Sequence, residues 1–289
     1  MKVTGLSAAC LLAMLSGSCN NLTELDSAPR VWSVAGHAGG EPLPVQVADT
    51  VKMMEVKGGK YVPFYGGKDS AVAIKTFEMD AHPVTNRQFQ TFIQHNRPWR
   101  RSCVKRIFAD GNYLAGWEND TTPGPNLLPD APVTNVSWFA AKAYAAAAGK
   151  RLPTVAEWEY AAMAGTNSAD ARTQPAFNAH ILSWYEKPNT AGNAVQQSRP
   201  NYWGIHDLHG LVWEWTEDFS EVMLSGESRR DVSNDDLMFC GSGSVGASDL
   251  MNYAAFMRFA FRGSLKANYC IRNQGFRCVK SENQTKNEK

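Results

Sequence analysis

Short helices separated by long irregular stretches are the feature of this sequence that most constrains its fold. Thr85 with Gln88, and Thr154 with Glu157, each match a capping box, in which a threonine opens a helix and the side chain three residues later bonds back to it. Between them, Ser137 opens a third, alanine-rich helix. The stretches in between are rich in Pro, Asn and Gly, which predicts loops and short strands. The pattern favours an α+β domain with little regular secondary structure.

The remainder of the domain supports the same prediction. The sequences YVPFYGG and AIKTFEMD indicate short strands, and stretches 110–132 and 175–200 are punctuated by Pro and Asn, which predicts loops. Gly149 and Gly165 are expected to end the second and third helices. Nine Trp, nine Tyr and thirteen Phe supply large flat side chains that can fill the space between irregular segments.

The composition is that of an ordinary folded protein. Apolar residues make up 44% of the 289 residues and charged residues 20%, which excludes a disordered or fibrous chain. Lys and Arg number 29 against 28 Asp and Glu, so the chain has no electrostatic preference for acidic partners and no nucleic-acid partner is expected.

The beginning of the chain has the pattern of an export signal. Residues 1–18 contain Lys2, an apolar run and then small residues, and Cys19 follows directly. This arrangement resembles a bacterial lipoprotein box, in which Cys19 becomes the lipidated first residue; the alternative is an ordinary secreted protein with an incidental cysteine. Residues 19–48, rich in Ser, Ala, Gly and Pro, would form a flexible tether. The sequence therefore predicts a lipid-anchored protein of the bacterial periplasm or cell envelope.

One domain from 49 to 280, followed by a polar tail at 281–289, is the simplest division of the rest. Export would place four further cysteines in an oxidising compartment, where they could form two disulfides in any of three connectivities. These cysteines are Cys103, Cys240, Cys270 and Cys278. No Cys-x-x-Cys pair occurs, so a zinc ribbon or a thioredoxin-type site is not expected.

Several blocks of the sequence together resemble one known family. They are PVTNRQFQTF, APVTNVSWFAAKAYAAAAGKRLPTVAEWEYAAMAG, PNYWGIHDLHGLVWEWTEDF, the arginine pair of RFAFR and the terminal NQGFRC. Their order and spacing resemble the formylglycine-generating enzyme, or sulfatase-modifying factor, family. The resemblance implies a compact α+β fold distantly akin to C-type lectins. Members differ in function: some oxidise a substrate cysteine using copper, some are iron-dependent sulfoxide synthases, and some have no demonstrated chemistry.

The positions that hold copper in the family's copper enzymes are not cysteines in this chain. In those enzymes two cysteines follow a Gly-Gly-Ser-aromatic turn, which here is GSGSVG with Ser244 at the family serine. The two cysteine positions fall on Ala247 and Asn252, and neither supplies the soft thiolate that Cu(I) requires. Cys240 and Cys270 flank the region without occupying either position. Copper bound by the family's route is therefore not expected.

The resemblance also implies a structural calcium site just before the sequence WEW. The matching groups are the carboxylates of Asp207 and Glu214 and the carbonyls of Gly210 and Val212. Ligation by oxygen alone suits a hard cation such as Ca²⁺. In the alternative, the two carboxylates only hydrogen-bond the surrounding loop.

Two pairs of residues have further candidate roles. His206 and His209 form a His-x-x-His pair that could ligate a transition metal, or that could simply be packed or exposed. Arg258 and Arg262 are four residues apart and would share one face of a helix. They could clamp loop carbonyls and carboxylates, or line with Ser244 the groove that holds substrate peptide in the enzymes.

Two functions follow as hypotheses. In the first, the chain is an exported, membrane-tethered binding or maturation factor that holds an exported protein or peptide in a preformed cleft. The segment CGSGSVGASDLMNYAAFMRFAFRGSLKANY resembles accessory proteins of copper nitrite reductases. In the second, the chain is a metal-dependent oxidase that modifies a cysteine or another side chain of a target protein. Its metal ligands would come from Cys240, Cys270, His206 and His209. Whether the chain is an enzyme stays open at this point.

Overall fold

A computed structural model describes four parts of the chain, residues 51–63, 71–186, 190–220 and 250–281. All four fall within one compact unit, Gly40–Lys289. Several predicted features lie outside the described residues: the signal and tether, Cys19, Cys240, Ser244, Ala247 and the tail beyond residue 281. In the part that is described, no helix has both the length and the apolar character needed to span a membrane.

The described residues form short elements joined by long loops. The strands are β1 (Met53–Val56), β2 (Gly59–Tyr61), β3 (Val72–Ile74), β4 (Phe77–Asp80), β5 (Trp213–Glu214), β6 (Gln274–Gly275) and β7 (Val279–Ser281). The helices are α1 (Asn86–His95), α2 (Trp138–Ala147), α3 (Val155–Ala162), α4 (Pro175–Tyr185) and α5 (Leu250–Gly263). Short 3₁₀ turns occupy Arg97–Trp99 and Thr190–Gly192. The prediction of an α+β fold with little regular secondary structure is confirmed.

The strands make three small sheets. β4 is the centre of an antiparallel sheet with the order β1-β4-β7, in which Met79 pairs with Met54 on one side and Val279 on the other. β2 and β3 form an antiparallel pair, whereas β5 and β6 are parallel, with Glu214 opposite Gly275. The last strand of the described residues, β7, therefore pairs with β4 near their beginning, which closes the fold.

The predicted capping boxes are confirmed. The Thr85 side chain accepts a hydrogen bond from the backbone of Gln88, whose side chain accepts one from the Thr85 N–H at 2.8 Å. Thr154 and Glu157 repeat this arrangement at the start of α3, with 2.9 Å for the return bond. Ser137 caps α2 through its hydroxyl oxygen, as expected. These three helix starts follow from local side-chain chemistry alone.

The predicted helix ends are correct in one case and displaced in the other. Gly149, just after α2, has φ +65°, the left-handed conformation that favours glycine. The third helix ends at Ala162 rather than at Gly165. The reason is that the Gly165 N–H bonds to the carbonyl of Ser168 at 3.0 Å and leaves the helical pattern.

The prediction of a loop over 175–200 is wrong at its beginning, where the chain forms α4. Pro175 occupies the first helical position, where its missing N–H has no cost and its fixed φ suits a helix. The helix is held by tertiary packing, because Ile181 is fully buried against Ala254 of α5. This contact brings α4 and α5 together at the candidate functional site.

The core is rich in aromatic side chains, as the composition suggested. Phe89 and Tyr144 stack with ring centroids 5.9 Å apart, and Tyr144 meets Phe276 edge-on at 5.3 Å. A second buried cluster packs the three-stranded sheet against α3 through Phe77 and Trp158. Trp158 thus joins the sheet to the candidate site.

Candidate functional site

Four half-buried aromatic side chains from α4, β5 and α5 pack together and form what we call the aromatic stack: Trp184, Tyr185, Trp213 and Phe261. The ring of Trp213 lies at its centre, stacked on Phe261 at 4.5 Å and on Tyr185 at 5.5 Å between centroids. Trp184 contacts Trp213 at 5.1 Å in a tilted arrangement. Rigid aromatic side chains that keep part of their surface accessible are typical of protein recognition surfaces.

Three buried ionic side chains lie next to the stack and form what we call the arginine cluster: Glu159 of α3 with Arg258 and Arg262 of α5. Arg258 donates from Nε and Nη2 to the Glu159 carboxylate at 2.9 and 2.7 Å, and Arg262 donates from Nη1 at 2.7 Å. The side chains of Glu159, Arg258 and Arg262 are 4%, 5% and 5% exposed. The arginines reach the same carboxylate because they are one helical turn apart.

The charges of the arginine cluster do not balance. Burial opposes ionisation of Glu159, but Arg258 and Arg262 outweigh it and lower its pKa to about 2. Burial likewise opposes the charge of Arg258, and Glu159 reverses the effect, so that its pKa is raised. Glu159 and Arg258 therefore stay ionised at neutral pH, and because the guanidinium group of arginine is always charged, the cluster has two positive charges against one negative charge. Within the cluster, Nη1 of Arg258 is buried and has no hydrogen-bond partner.

Trp158 covers the arginine cluster. Its ring lies 4.9 Å from Cζ of Arg262 and 5.8 Å from Cζ of Arg258, measured to the ring centroid. At these distances the face of the indole attracts both cations. Its Nε1 donates to the Glu214 carboxylate at 2.7 Å, which fixes the ring.

A small cavity separates the arginine cluster from the aromatic stack. Its volume is about 10 Å³, which is space for a single water-sized group. Its walls include Trp158, Trp184, Trp213, Phe261, Arg258 and Arg262. Cationic groups and aromatic rings thus meet at one point.

The carboxylates of the predicted calcium site are already bonded to protein donors. Glu214 accepts hydrogen bonds from Nε and Nη2 of Arg277 at 2.8 and 2.9 Å, besides the one from Trp158, and neither member of this ion pair is exposed. Asp207 accepts 2.6 Å bonds from the backbone N–H of Gln196 and the hydroxyl of Ser198.

These bonds decide against a calcium ion held by Asp207, Gly210, Val212 and Glu214. A guanidinium already neutralises Glu214, so a divalent cation there would meet a positive charge in place of a free carboxylate. The residues present do not fit the ion, and the geometry matches the alternative in which both carboxylates hydrogen-bond their surroundings. Across the four described ranges, no group of three or more His, Cys, Asp or Glu side chains is placed to hold a metal.

The two histidines of the His-x-x-His pair point to different partners. Nδ1 of His206 bonds to the carbonyl of Ser198 at 2.9 Å, and Nε2 of His209 bonds to the carbonyl of Ala162 at 2.9 Å. Burial, reinforced by the charge of Arg258, lowers the pKa of His209 to about 3, so its imidazole is neutral. The structure thus favours packed histidines over a shared transition-metal site.

Cys270 and Cys278 are buried free thiols. Because two of the four candidate cysteines are unpaired, the predicted pair of disulfides is not formed in this structure. Burial raises the pKa of both thiols, and the charges of Asp110 and Asp80 raise those of Cys270 and Cys278 respectively. A protonated thiol is a poor nucleophile and a poor metal ligand, which weakens the case for Cys270 as a redox ligand.

The other predicted site residues are only partly accounted for. Arg258 and Arg262 act as clamps, but on a helical carboxylate rather than on a loop. Asn252 lies in α5, and its side chain is not among the described parts of the structure. Ser244 and Ala247 lie outside the described residues.

Sequence reasoning missed Glu159 and the aromatic stack. Glu159 lies in a helix that the sequence predicts, next to Tyr160, and both residues are buried. A buried carboxylate needs a cationic partner. The arginine pair was the partner available. The stack has no local signal, because its members come from three separate elements.

Comparison with known proteins places these features in a family context. Residues 40–282 match the family model described as the sulfatase-modifying factor enzyme 1-like domain. The formylglycine-generating enzyme of Streptomyces coelicolor is 36% identical over 253 residues, which cover 72% of this chain and 79% of that protein.

Two bovine relatives extend the comparison. The bovine formylglycine-generating enzyme is 29% identical, over 72% of this chain and 66% of its own length, so the chain spans about two thirds of that relative. The bovine protein named inactive C-alpha-formylglycine-generating enzyme 2 is 27% identical, over 83% of this chain and 91% of its own length. Proteins named as active and as inactive are thus both among the relatives.

Proposed function

Because this chain belongs to the formylglycine-generating enzyme, or sulfatase-modifying factor, family, we propose that it is a non-catalytic member that binds an exported protein and assists its maturation. The observation that carries the proposal is the aromatic stack, whose half-buried rings provide a peptide-binding surface that needs no catalytic group. The sequence adds that Ala247 and Asn252 stand at the family's copper-cysteine positions. Two of the described thiols, Cys270 and Cys278, are buried and protonated and do not substitute for them.

The proposal includes a location. The small residues before Cys19 support export to the bacterial periplasm or cell envelope and attachment through a lipid on that cysteine. A Cys19→Ser variant of the full chain is expected to move from the membrane fraction to the soluble periplasmic fraction. Unchanged fractionation of the variant, or a mature protein whose mass shows cleavage at another site without lipid, would contradict the anchor.

A copper nitrite reductase is the first partner to test, because residues 240–269 resemble the accessory proteins of such enzymes. The experiment measures binding of the purified full chain to the reductase by calorimetry or biolayer interferometry. Trp213→Ala removes the centre of the stack and is expected to weaken binding by at least about tenfold, as for an aromatic hot spot. Tyr202→Ala is the matched control, because Tyr202 is an exposed aromatic outside the stack.

Elemental analysis and a turnover assay separate this function from the oxidase alternative. Saturable binding without turnover of a cysteine-containing peptide supports the accessory function. Stoichiometric copper or iron together with turnover of that peptide would establish the oxidase and overturn the proposal. Equal loss of binding in the Trp213 and Tyr202 variants would remove the stack as the binding surface.

A further inference from the structure

From the unbalanced arginine cluster we infer an anion site that receives one carboxylate group of the partner, delivered by an acidic side chain of the segment bound on the aromatic stack. This inference rests on the proposed function, because it names the chemistry that the partner must bring. It concerns Arg258, Arg262 and the cavity between them and the stack.

The arginine cluster carries one surplus positive charge. No ionisable neighbour within the described residues supplies the missing negative charge. Glu214, which also lines the cavity, is already neutralised by Arg277. The hydroxyls of Tyr61 and Tyr185 lie near the cluster, but burial raises the pKa of both, so they remain neutral. A buried cation without a counter-charge is costly, and an anion that enters the cavity removes that cost.

The arginine cluster also contains a buried donor that makes no hydrogen bond. Nη1 of Arg258 has no partner although the residue is 4% exposed. The neighbouring hydroxyl of Tyr185 donates to the carbonyl of Ala254 at 3.3 Å, and its oxygen interacts with the guanidinium of Arg258. Nη1 of Arg262 donates a hydrogen bond to Glu159. Nη1 of Arg258 is therefore a buried donor that a ligand could use, and a planar carboxylate is the anion that arginine binds best.

The size and position of the cavity limit which group can reach the cluster. A volume of about 10 Å³ accepts one oxygen atom, so one carboxylate oxygen would enter the cavity while the rest of the group stays at its mouth. The aromatic walls Trp184, Trp213 and Phe261 are half-buried members of the stack, so the cavity lies at the recognition surface rather than deep in the core. Chloride carries the same single negative charge, and it is the alternative source of the anion.

Tryptophan fluorescence provides the readout, since three tryptophans line the cavity. The full-length protein is titrated with the peptide acetyl-Gly-Phe-Glu-Gly-amide, with its Gln counterpart, and separately with formate and chloride at constant ionic strength. We expect a saturable change with the Glu peptide and with formate, and binding of the Gln peptide weaker by at least about tenfold, as for a buried charge pair.

Arg262→Gln is the variant that isolates the site. It leaves the neutral pair of Arg258 and Glu159 intact and removes only the surplus charge, so the domain is expected to fold. The variant should lose the preference for Glu over Gln, and Arg262→Lys should retain it. Arg87→Gln is the matched control, because it removes one positive charge from an exposed ion pair with Asp130 elsewhere on the domain.

The outcomes distinguish this inference from the proposed function. Equal affinity for the Glu and Gln peptides overturns the anion site and leaves the accessory function standing. A change in fluorescence with formate, together with no binding of the reductase, supports the anion site and overturns the proposed function. A response to chloride with none to formate or the Glu peptide shows a site for a small free ion and overturns the carboxylate assignment.

Discussion

The indole Nε1 of Trp158 donates a 2.7 Å hydrogen bond to the buried carboxylate of Glu214, and this bond ties two charged networks together. The face of the same indole lies against the guanidinium groups of Arg258 and Arg262. Glu214 in turn is held by Arg277 near the end of the chain. One side chain thus connects the closure of the fold to the arginine cluster.

Trp158→Phe is expected to destabilise the protein by about 1–3 kcal/mol, because it keeps a ring in place but removes a donor to a buried carboxylate. Urea unfolding of the variant and of the wild type gives the difference. Tyr202→Phe, a change on an exposed ring, should cost less than about 0.5 kcal/mol. Equal stability of the Trp158 variant and the wild type would show that the bond contributes nothing.

The three charges of the arginine cluster should respond unequally to substitution. Glu159→Gln leaves two buried arginines without a counter-charge and is expected to cost about 3–5 kcal/mol. Arg262→Gln leaves a balanced pair and should cost clearly less. Denaturant midpoints of the two variants compare their stabilities. A larger loss of stability in Arg262→Gln than in Glu159→Gln would contradict a surplus of positive charge in the cluster.

Acid should weaken the fold through Glu159. Its pKa is about 2 in the folded protein against 4.5 for the ordinary side chain, so the folded state binds its proton less readily than the unfolded state. The resulting stability is fully present above pH about 4.5 and is lost as the pH falls towards 2. In Arg262→Gln this loss should be smaller, because one of the two charges that lower the pKa is gone. An unchanged pH profile of unfolding in that variant would contradict the assignment.

Helix starts were predictable because their causes are local. Thr85 and Thr154 find their capping partners three residues away, and both contacts follow from the sequence alone. The loop prediction fails at the first residues of α4 because a proline such as Pro175 is suited both to loops and to the first helical position. Only the burial of Ile181 on α5 decides between the two interpretations.

The site itself depends on contacts that no local pattern encodes. Glu159 meets Arg258 and Arg262 across 99 and 103 residues. The parallel pairing of Glu214 with Gly275 sets Arg277 beside a carboxylate that the sequence assigned to calcium. A ligand set read from one segment is incomplete when a distant segment supplies a cation to the same oxygen atoms.

Calcium should therefore have no effect on stability. A ligand that binds only the folded state raises the melting temperature with its concentration, and the bonded carboxylates of Asp207 and Glu214 offer it no site. Thermal melting of the full chain in EDTA and in millimolar calcium is expected to give the same midpoint. A calcium-dependent rise that Asp207→Asn abolishes would restore the calcium site.

The buried thiols should be unreactive in the native protein. Burial keeps Cys270 and Cys278 protonated at pH 8, and only a thiolate reacts with iodoacetamide. Peptide mapping by mass spectrometry is expected to find both unmodified after native treatment and both alkylated after unfolding without reductant. Alkylation of the unfolded chain that requires reductant would show that these cysteines are joined in disulfides, contrary to the structure. Rapid labelling of native Cys270 would instead reveal an accessible thiolate and revive it as a candidate redox ligand.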